Sequence, residues 1–127
     1  MGDTERRARA HFDADAWEED LARATPAGRQ AAEAARKDYE QHGVPITQLR
    51  RVTEHGHDRT VLPDCTKVYV PAHAGRFGMI FMLKFQPDGR PVLMFLAFGV
   101  RHHPQGSQHP TVYQLAHQRL HGQPPRR

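Results

Sequence analysis

The sequence is poor in cysteine and has no long apolar run. Cys65 is the single cysteine among 127 residues, which excludes an intramolecular disulfide and a zinc site built from several cysteines. The longest purely apolar run, Val92 to Phe98, is far shorter than the roughly 20 residues of a membrane-spanning helix. The polar first residues lead into no apolar stretch, unlike a signal peptide. We therefore expect a cytoplasmic protein with no membrane partner.

The chain also has fewer acidic than basic residues. Lysine and arginine total 18 against 14 aspartates and glutamates, which gives a formal net charge of +4 and an isoelectric point of about 9.7. A basic surface favours a polyanionic partner such as nucleic acid, because contacts from lysine and arginine release the counterions of phosphates. Many basic proteins bind no nucleic acid, so charge alone leaves both possibilities open.

The composition changes near residue 60, from good helix formers to strand-forming residues. Asp15 is a suitable N-cap for a first helix, and Glu18 has the spacing of a capping box. A second helix is predicted from Pro26 to about His42, because proline is well suited to the first helical position. A third, short helical piece is predicted within residues 45–52.

Three strands are predicted after a polar, turn-rich segment. Lys67 and Tyr69 alternate with valines, so they share one face of the first strand. Residues 76–86 and 91–99 are apolar on both faces and are joined by Asp88 and Gly89, which predicts an antiparallel hairpin covered on both sides. Strict alternation separates Phe77, Met79, Phe81, Leu83 and Phe85 from Ile80 and Met82, and separates Leu93, Phe95 and Ala97 from Val92, Met94, Leu96 and Phe98.

A last helix is predicted from Pro110 to about His121, with Gly122 ending it. The predicted fold is therefore α+β, with an N-terminal helical hairpin packed on a small antiparallel meander and a short C-terminal helix. The length suits one domain. We expect it to cover residues 13–122, between a flexible N-terminal segment (1–12) and a flexible tail (123–127).

Basic residues and one aromatic motif lie on or next to the predicted strands and the last helix, in a fixed order along the chain. Lys67 lies on a strand, Arg76 stands just ahead of the next strand, and Arg101 follows the third. A segment with Val112, Tyr113, Ala116 and Arg119 comes after them. This order resembles that of the small RelE-type toxins of bacterial toxin-antitoxin pairs, which have two N-terminal helices over an antiparallel sheet. The resemblance covers about residues 13–121 in architecture and about residues 65–120 in motifs.

The resemblance implies cleavage of messenger RNA. RelE-type toxins cut mRNA on the ribosome and are silenced by a cognate antitoxin, so the implied partners are an antitoxin, mRNA and the ribosome. The implied assembly is a monomer or dimer that forms a hetero-oligomer with the antitoxin. Such cleavage uses the ribose 2′-hydroxyl as nucleophile and needs a base, an acid and cations that stabilise the phosphorane. It requires no metal and no cofactor.

The resemblance also implies roles for individual residues. It implies RNA binding by Lys67, Arg76, Arg101 and Arg119. Arg76 and Arg101 are suited to clamp the phosphate, because a guanidinium is permanently charged and can bind two oxygens at once. Lys67 is expected to stabilise transition-state charge. Tyr113 is expected to stack on a base or donate to the phosphate; the alternative is a ring that packs on the sheet.

His102 and His103 follow Arg101 directly and are the candidates for the proton transfers, because imidazole titrates near neutral pH. His109 is a third candidate in the same segment. The alternative for each is a solvent-exposed loop histidine. We expect at least one of the first two to act as acid or base.

Ten histidines also raise the question of a metal site. His117 and His121 lie four residues apart on the predicted last helix, and His55 and His57 could add ligands from a loop. The helical pair has no glutamate base between its members and no cysteine partner, so the pattern is a weak zinc signal. We predict no metal.

Two departures from the family pattern leave other functions open. Members that cut RNA commonly carry several lysines on the strand where this chain has only Lys67, and the segment 102–111 is longer than the usual connection. A similar spacing occurs in HigB-like toxins. The alternatives are a ParE-like toxin that inhibits DNA gyrase and a non-catalytic binding protein of the same fold.

Overall fold

The computed structural model describes residues 6–52, 64–70, 77–101 and 111–120. In chain order the elements are β1 (Arg7–His11), α1 (Ala14–Arg23), α2 (Pro26–His42), β2 (Val44–Pro45), a 3₁₀ turn (Ile46–Gln48), β3 (Arg50–Arg51), β4 (Cys65–Tyr69), β5 (Phe77–Phe85), β6 (Pro91–Val100) and α3 (Val112–Leu120). The predicted α+β class, with two N-terminal helices, a sheet and a short last helix, is confirmed. None of the described helices has the length and apolarity to span a membrane.

The strands form one six-stranded sheet in the order β2-β1-β6-β5-β4-β3. The strands β4, β5 and β6 form the predicted antiparallel meander. The complete sheet is mixed, because β1 pairs with β6 in the parallel direction. The two short strands β2 and β3 extend its edges.

The strand β1 falls within the segment 1–12, for which the sequence predicts flexibility. Arg7–His11 are nevertheless ordered as a strand, with Ala8 only 1% exposed. Two alanines between charged residues give little apolar alternation, so the local sequence does not indicate a strand. The partner residues on β6 are distant in the chain, and only the folded sheet brings them together.

The first helix begins two residues earlier than predicted. Asp13, and not Asp15, is its N-cap, and its carboxylate accepts a 2.9 Å hydrogen bond from the Ala16 amide. Asp15 lies in the first turn, where a negative charge favours the helix dipole. The predicted bounds of α2 are confirmed, with the Thr25 hydroxyl as its cap.

The helical piece predicted within residues 45–52 is present but shorter than its threefold apolar spacing indicates. Ile46–Gln48 make a single 3₁₀ turn, and Arg50–Arg51 pair with β4. The apolar residues that suggested one helical face divide between two different cores, since Ile46 and Leu49 pack on one and Val52 on the other. The spacing of three between Ile46, Leu49 and Val52 therefore does not mark one helical face, because the chain passes from one side of the sheet to the other between Leu49 and Val52.

Two apolar cores lie on opposite faces of the sheet. The first is covered by α1 and α2, and the second by α3. As predicted, β5 contributes Phe77, Met79 and Phe81 to the first core and Ile80 to the second. We call the second side of the sheet the α3 face.

The strand β6 departs from the strict alternation that its sequence predicts. Ile80 pairs with Ala97 but Phe81 pairs with Phe95, so that Leu96 has no partner on β5. This β-bulge shifts the pattern by one residue, and every later side chain changes face. The first core therefore contains Leu93, Phe95 and Phe98, whereas the second contains Leu96 and Ala97.

Candidate active site

The bulge at Leu96 decides the face on which Arg101 lies. Beyond the bulge, Tyr69, Gly78 and Gly99 are paired across β4, β5 and β6, and directly paired residues share a face. A side chain at Gly99 would touch α3, so this row belongs to the α3 face. Arg101 stands two residues further along and lies on the same side. With strict alternation it would face the first core instead.

Tyr69 is the centre of a group of cations on this face. The distance to its ring centroid is 3.9 Å from Arg101 Cζ, 5.3 Å from Arg50 Cζ and 5.4 Å from Lys67 Nζ. Cations are attracted to the face of an aromatic ring, and this attraction offsets part of their mutual repulsion. The group concentrates positive charge in a way that suits a phosphodiester. We call these four residues the Tyr69 cluster.

Arg101 reaches Tyr69 by lying across Gly78. A Cβ atom at Gly78 would lie 3.4 Å from the Cγ and 3.8 Å from the Cδ of Arg101. Because glycine has no side chain, the arginine stem can lie flat on the sheet and bring its guanidinium over the ring. The position of Arg101 thus depends on a small residue in the neighbouring strand.

Lys67 connects the Tyr69 cluster to α3. Its Nζ donates a 3.0 Å hydrogen bond to the Tyr113 hydroxyl and lies 4.8 Å from the centroid of the Tyr113 ring. Both residues are buried, at 3% and 6% exposed, and a buried ammonium needs such partners. Because the phenol oxygen accepts a hydrogen bond from Lys67, its own O–H is left to donate to another oxygen, such as one on a phosphate.

Thr111 fixes the start of α3 and so the position of Tyr113. The Thr111 hydroxyl accepts a 3.2 Å hydrogen bond from the Gln114 amide, and the Gln114 side-chain oxygen accepts a 3.0 Å bond from the Thr111 amide. This reciprocal pair is a capping box. The helix therefore begins at Val112, and the predicted start at Pro110 lies outside the described residues. The Thr-x-x-Gln spacing is the sequence signal that predicts this start.

Arg119 makes its contacts near the other end of α3. It donates two hydrogen bonds, of 2.6 and 2.8 Å, to the Asp20 carboxylate, one of 2.8 Å to the Leu96 carbonyl, and another to Glu19. Burial raises the pKa of Asp20, and hydrogen bonds from Arg119 and the Phe98 amide oppose that rise. The hydrogen bond from Arg119 lowers the pKa of Glu19. These contacts hold elements together, and the RNA-binding role of Arg119 stays a prediction.

Three predicted site residues, Arg76, His102 and His103, lie outside the described residues. Arg76 directly precedes β5 in the sequence, and the two histidines directly follow Arg101. Their roles in phosphate binding and proton transfer stay predictions, as does that of His109.

Tyr69 and Arg50 belong to the Tyr69 cluster but are not among the site residues predicted from the sequence. Alternation correctly places Tyr69 on the face of Lys67, but an aromatic residue in a strand is ordinarily a packing residue. Arg50 is paired with Lys67 through β3 and β4, across a long intervening segment. No local pattern indicates that pairing, so only the sheet topology reveals Arg50.

The described residues contain no group of three or more histidine, cysteine or acidic side chains that could hold a metal ion. Cys65 is buried in the core on the α3 face. Burial, with a contribution from the Asp64 carboxylate, raises the pKa of its thiol to about 11. Since the thiolate is the reactive form, Cys65 is a packing residue at neutral pH.

No protein-family model and no curated protein sequence matches the chain. Among solved structures, the chain is similar to a double arginine-to-alanine variant of the E. coli toxin RelE in the free state, at 14% sequence identity and a TM-score of 0.46. The likeness covers 91% of this chain and 99% of the toxin. At this identity and TM-score, it establishes no activity, substrate or partner for this chain.

Proposed function

We propose that the chain is the toxin of a toxin-antitoxin pair, a ribosome-dependent endoribonuclease that cuts mRNA by metal-independent attack of the ribose 2′-hydroxyl. The observation that carries the proposal is the hydrogen bond from Lys67 to Tyr113 beside the stack of Arg101 on Tyr69. Two cations, Lys67 and Arg101, and the phenols of Tyr69 and Tyr113 thus lie on one face of the sheet. The order of motifs along the chain supports the same activity, with a cognate antitoxin as partner in the cytoplasm.

Arg101 is the phosphate clamp in this proposal. Its Cζ lies 3.9 Å from the centroid of the Tyr69 ring, whereas hydrogen bonds to phosphate oxygens are made by the N–H groups at the edge of the guanidinium. The two interactions are therefore compatible. A guanidinium already held in place loses little side-chain freedom when the phosphate binds, so its charge acts on the transition state without reorganisation.

Tyr113 is the proton donor to the phosphate or to the leaving oxygen. The Lys67 ammonium donates to the phenol oxygen at 3.0 Å, and it supplies positive charge next to the group that would give up a proton. Since Lys67 is buried whereas Arg101 as a whole residue is half-buried, Lys67 acts through Tyr113 and through its charge. No metal and no cofactor takes part.

Four further residues complete the proposed site. Arg76 is a second phosphate clamp, and His102 or His103 is the base that takes the proton of the 2′-hydroxyl. Arg119 is proposed to contact RNA at the rim. Each of these roles rests on position in the sequence and on the chemistry of the side chain.

The test is cleavage of mRNA on translating ribosomes. The wild-type protein should leave 2′,3′-cyclic phosphate ends at codon positions. Tyr113→Phe, which removes only the hydroxyl, and Lys67→Met should each slow cleavage about a hundredfold or more, as loss of a preorganised donor does. Lys84→Met, an exposed lysine on β5, is the matched control and should cut normally. Intact mRNA over a wide concentration range, or gyrase inhibition with undamaged mRNA, would contradict the proposal.

One observation favours a second function, that of a non-catalytic binding protein. Lys67 and Tyr113 are 3% and 6% exposed, which is low for groups that touch a substrate. Under this alternative they fasten α3 to the sheet. Tyr113→Phe would then affect the growth of cells that express it in the same way as the wild type, while lowering stability by about 1 kcal/mol, the usual value of one hydrogen bond.

A further inference from the structure

Beyond the end of β1, the side chains of Asp20 and Arg119 form hydrogen bonds with the backbone edge of β6. Within the described residues, β1 pairs with β6 from Val92 to Met94. Further along the same edge, the Asp20 carboxylate accepts a 2.8 Å hydrogen bond from the Phe98 amide, and the Arg119 guanidinium donates one of 2.8 Å to the Leu96 carbonyl. These backbone groups are the ones that a neighbouring strand would otherwise pair with.

The two side chains reach this edge from opposite faces of the sheet. Asp20 belongs to α1, which covers the first core, and Arg119 belongs to α3. Their bidentate ion pair, with distances of 2.6 and 2.8 Å, passes around the edge of β6. Asp20 is only 2% exposed, and its buried charge is matched by Arg119 and by the Phe98 amide.

One of the two backbone groups held by this pair, the Leu96 carbonyl, belongs to the bulge. Leu96 is the residue without a partner on β5, and Phe98 follows two positions later. A bulge interrupts the hydrogen-bond ladder, and the groups that it exposes need other partners. Arg119 donates to the Leu96 carbonyl and Asp20 accepts from the Phe98 amide, so the pair matches the positions of these two groups in the bulged strand. A strand that slipped by one residue would not match it.

We propose that Asp20 and Arg119 are positioning residues: they hold the bulge at Leu96 and so keep Arg101 on the α3 face, stacked on Tyr69. The position of Arg101 on the α3 face follows from these contacts, whatever the function of the protein. Its consequence for RNA cleavage rests on the proposed function. This positioning role requires no contact with the substrate, because both residues act through the backbone of β6.

The experiment follows the Arg101 side chain by NMR in arginine-labelled protein. In the wild type, the Tyr69 ring should shift the Arg101 side-chain resonances upfield, and Tyr69→Leu gives the reference without this shift. Arg119→Met and Asp20→Asn should each move the Arg101 resonances towards that reference. Arg23→Met is the matched control, since Arg23 lies 3.5 Å from the Asp20 carboxylate but makes no described contact with β6; it should leave the shift unchanged.

Cleavage kinetics form a second readout. Asp20→Asn should lower kcat about a hundredfold with KM changed less than about threefold, because a misplaced clamp affects the transition state more than binding. Asp20→Asn keeps the shape of the side chain and serves if Arg119→Met fails to fold. Retention of the Arg101 shift in both variants, or equal loss of it in Arg23→Met, would overturn the proposal. If the wild-type protein cuts no RNA, the proposed function fails and the NMR comparison still decides the positioning role.

Discussion

The guanidinium carbon of Arg101 lies 3.9 Å above the centre of the Tyr69 ring. An arginine at the end of a strand ordinarily extends into solvent and samples many rotamers. Here the ring holds it, and Arg50 and Lys67 approach the same ring from 5.3 and 5.4 Å. Tyr69 thus organises three positive charges at one place, which makes it the residue on which the electrostatics of the site depend.

Replacement of Tyr69 should therefore weaken RNA binding. Tyr69→Leu removes the attraction between the ring and its cations, worth about 0.5–2 kcal/mol for each contact. We expect a five- to thirtyfold loss of affinity, roughly 1–2 kcal/mol, measured by fluorescence anisotropy with a short single-stranded RNA at one fixed salt concentration. Tyr69→Phe keeps the ring and is the control, with affinity near that of the wild type. Equal losses in both variants would show that the hydroxyl, and not the ring, is important.

Gly78 should tolerate only the smallest added side chain. An alanine Cβ would lie 3.4 Å from Arg101 Cγ, which is close but allowed, so Gly78→Ala should fold and bind RNA almost normally. Gly78→Val adds branches that occupy the path of the arginine stem, and it should displace Arg101 from Tyr69. The measurement is again RNA affinity, with thermal denaturation to check folding. If Gly78→Val binds RNA as tightly as Gly78→Ala, Arg101 does not need this path.

The fold was predictable where its signals are local. The apolar faces of β5, the Asp-Gly turn and the Thr25–Pro26 start of α2 depend on neighbouring residues, and the structure confirms them. The strands β1 and β3 are short and charged, and they exist because distant strands pair with them. The bulge at Leu96 cannot be predicted from the sequence either, because residues 92–98 are all apolar and their pattern is the same with or without a bulge.

The sequence likewise predicted only part of the candidate site. Order along the chain brings Lys67, Arg101 and Tyr113 into one hypothesis, and the structure places all three on the α3 face. Arg119 belongs to the same motif but pairs with Asp20, a buried carboxylate that no sequence pattern connects with it. Tyr69 joins the site through cation contacts, which depend on side-chain geometry and not on residue type alone.

The capping box of α3 should contribute measurably to stability. Thr111→Val removes the hydroxyl that accepts from the Gln114 amide at 3.2 Å and keeps the volume of the side chain. We expect a loss of about 1 kcal/mol in the free energy of unfolding, the typical value of an N-cap, measured by urea denaturation. Thr111→Ser keeps the hydroxyl and should lose much less. Equal losses would indicate that the methyl group of this buried residue dominates.

Stability should fall as the pH rises above the ordinary pKa of a thiol. Burial raises the pKa of Cys65 from its ordinary value of 9.0 to about 11, so the unfolded chain loses the proton at a lower pH than the folded chain. Between these values the folded state binds the proton more tightly than the unfolded state, so ionisation favours unfolding. At pH 9.5 the expected loss is about 0.8 kcal/mol relative to pH 7.5.

Urea denaturation at the two pH values measures this loss, with Cys65→Ala as the control. The alanine variant removes the thiol while leaving every other titrating group in place, so the difference between the two proteins isolates Cys65. The native thiol should also resist alkylation at pH 8 and react after unfolding, because the thiolate is the nucleophile. A pH dependence that is identical in Cys65→Ala would mean that the thiol titrates equally in both states and that the core on the α3 face is open to solvent.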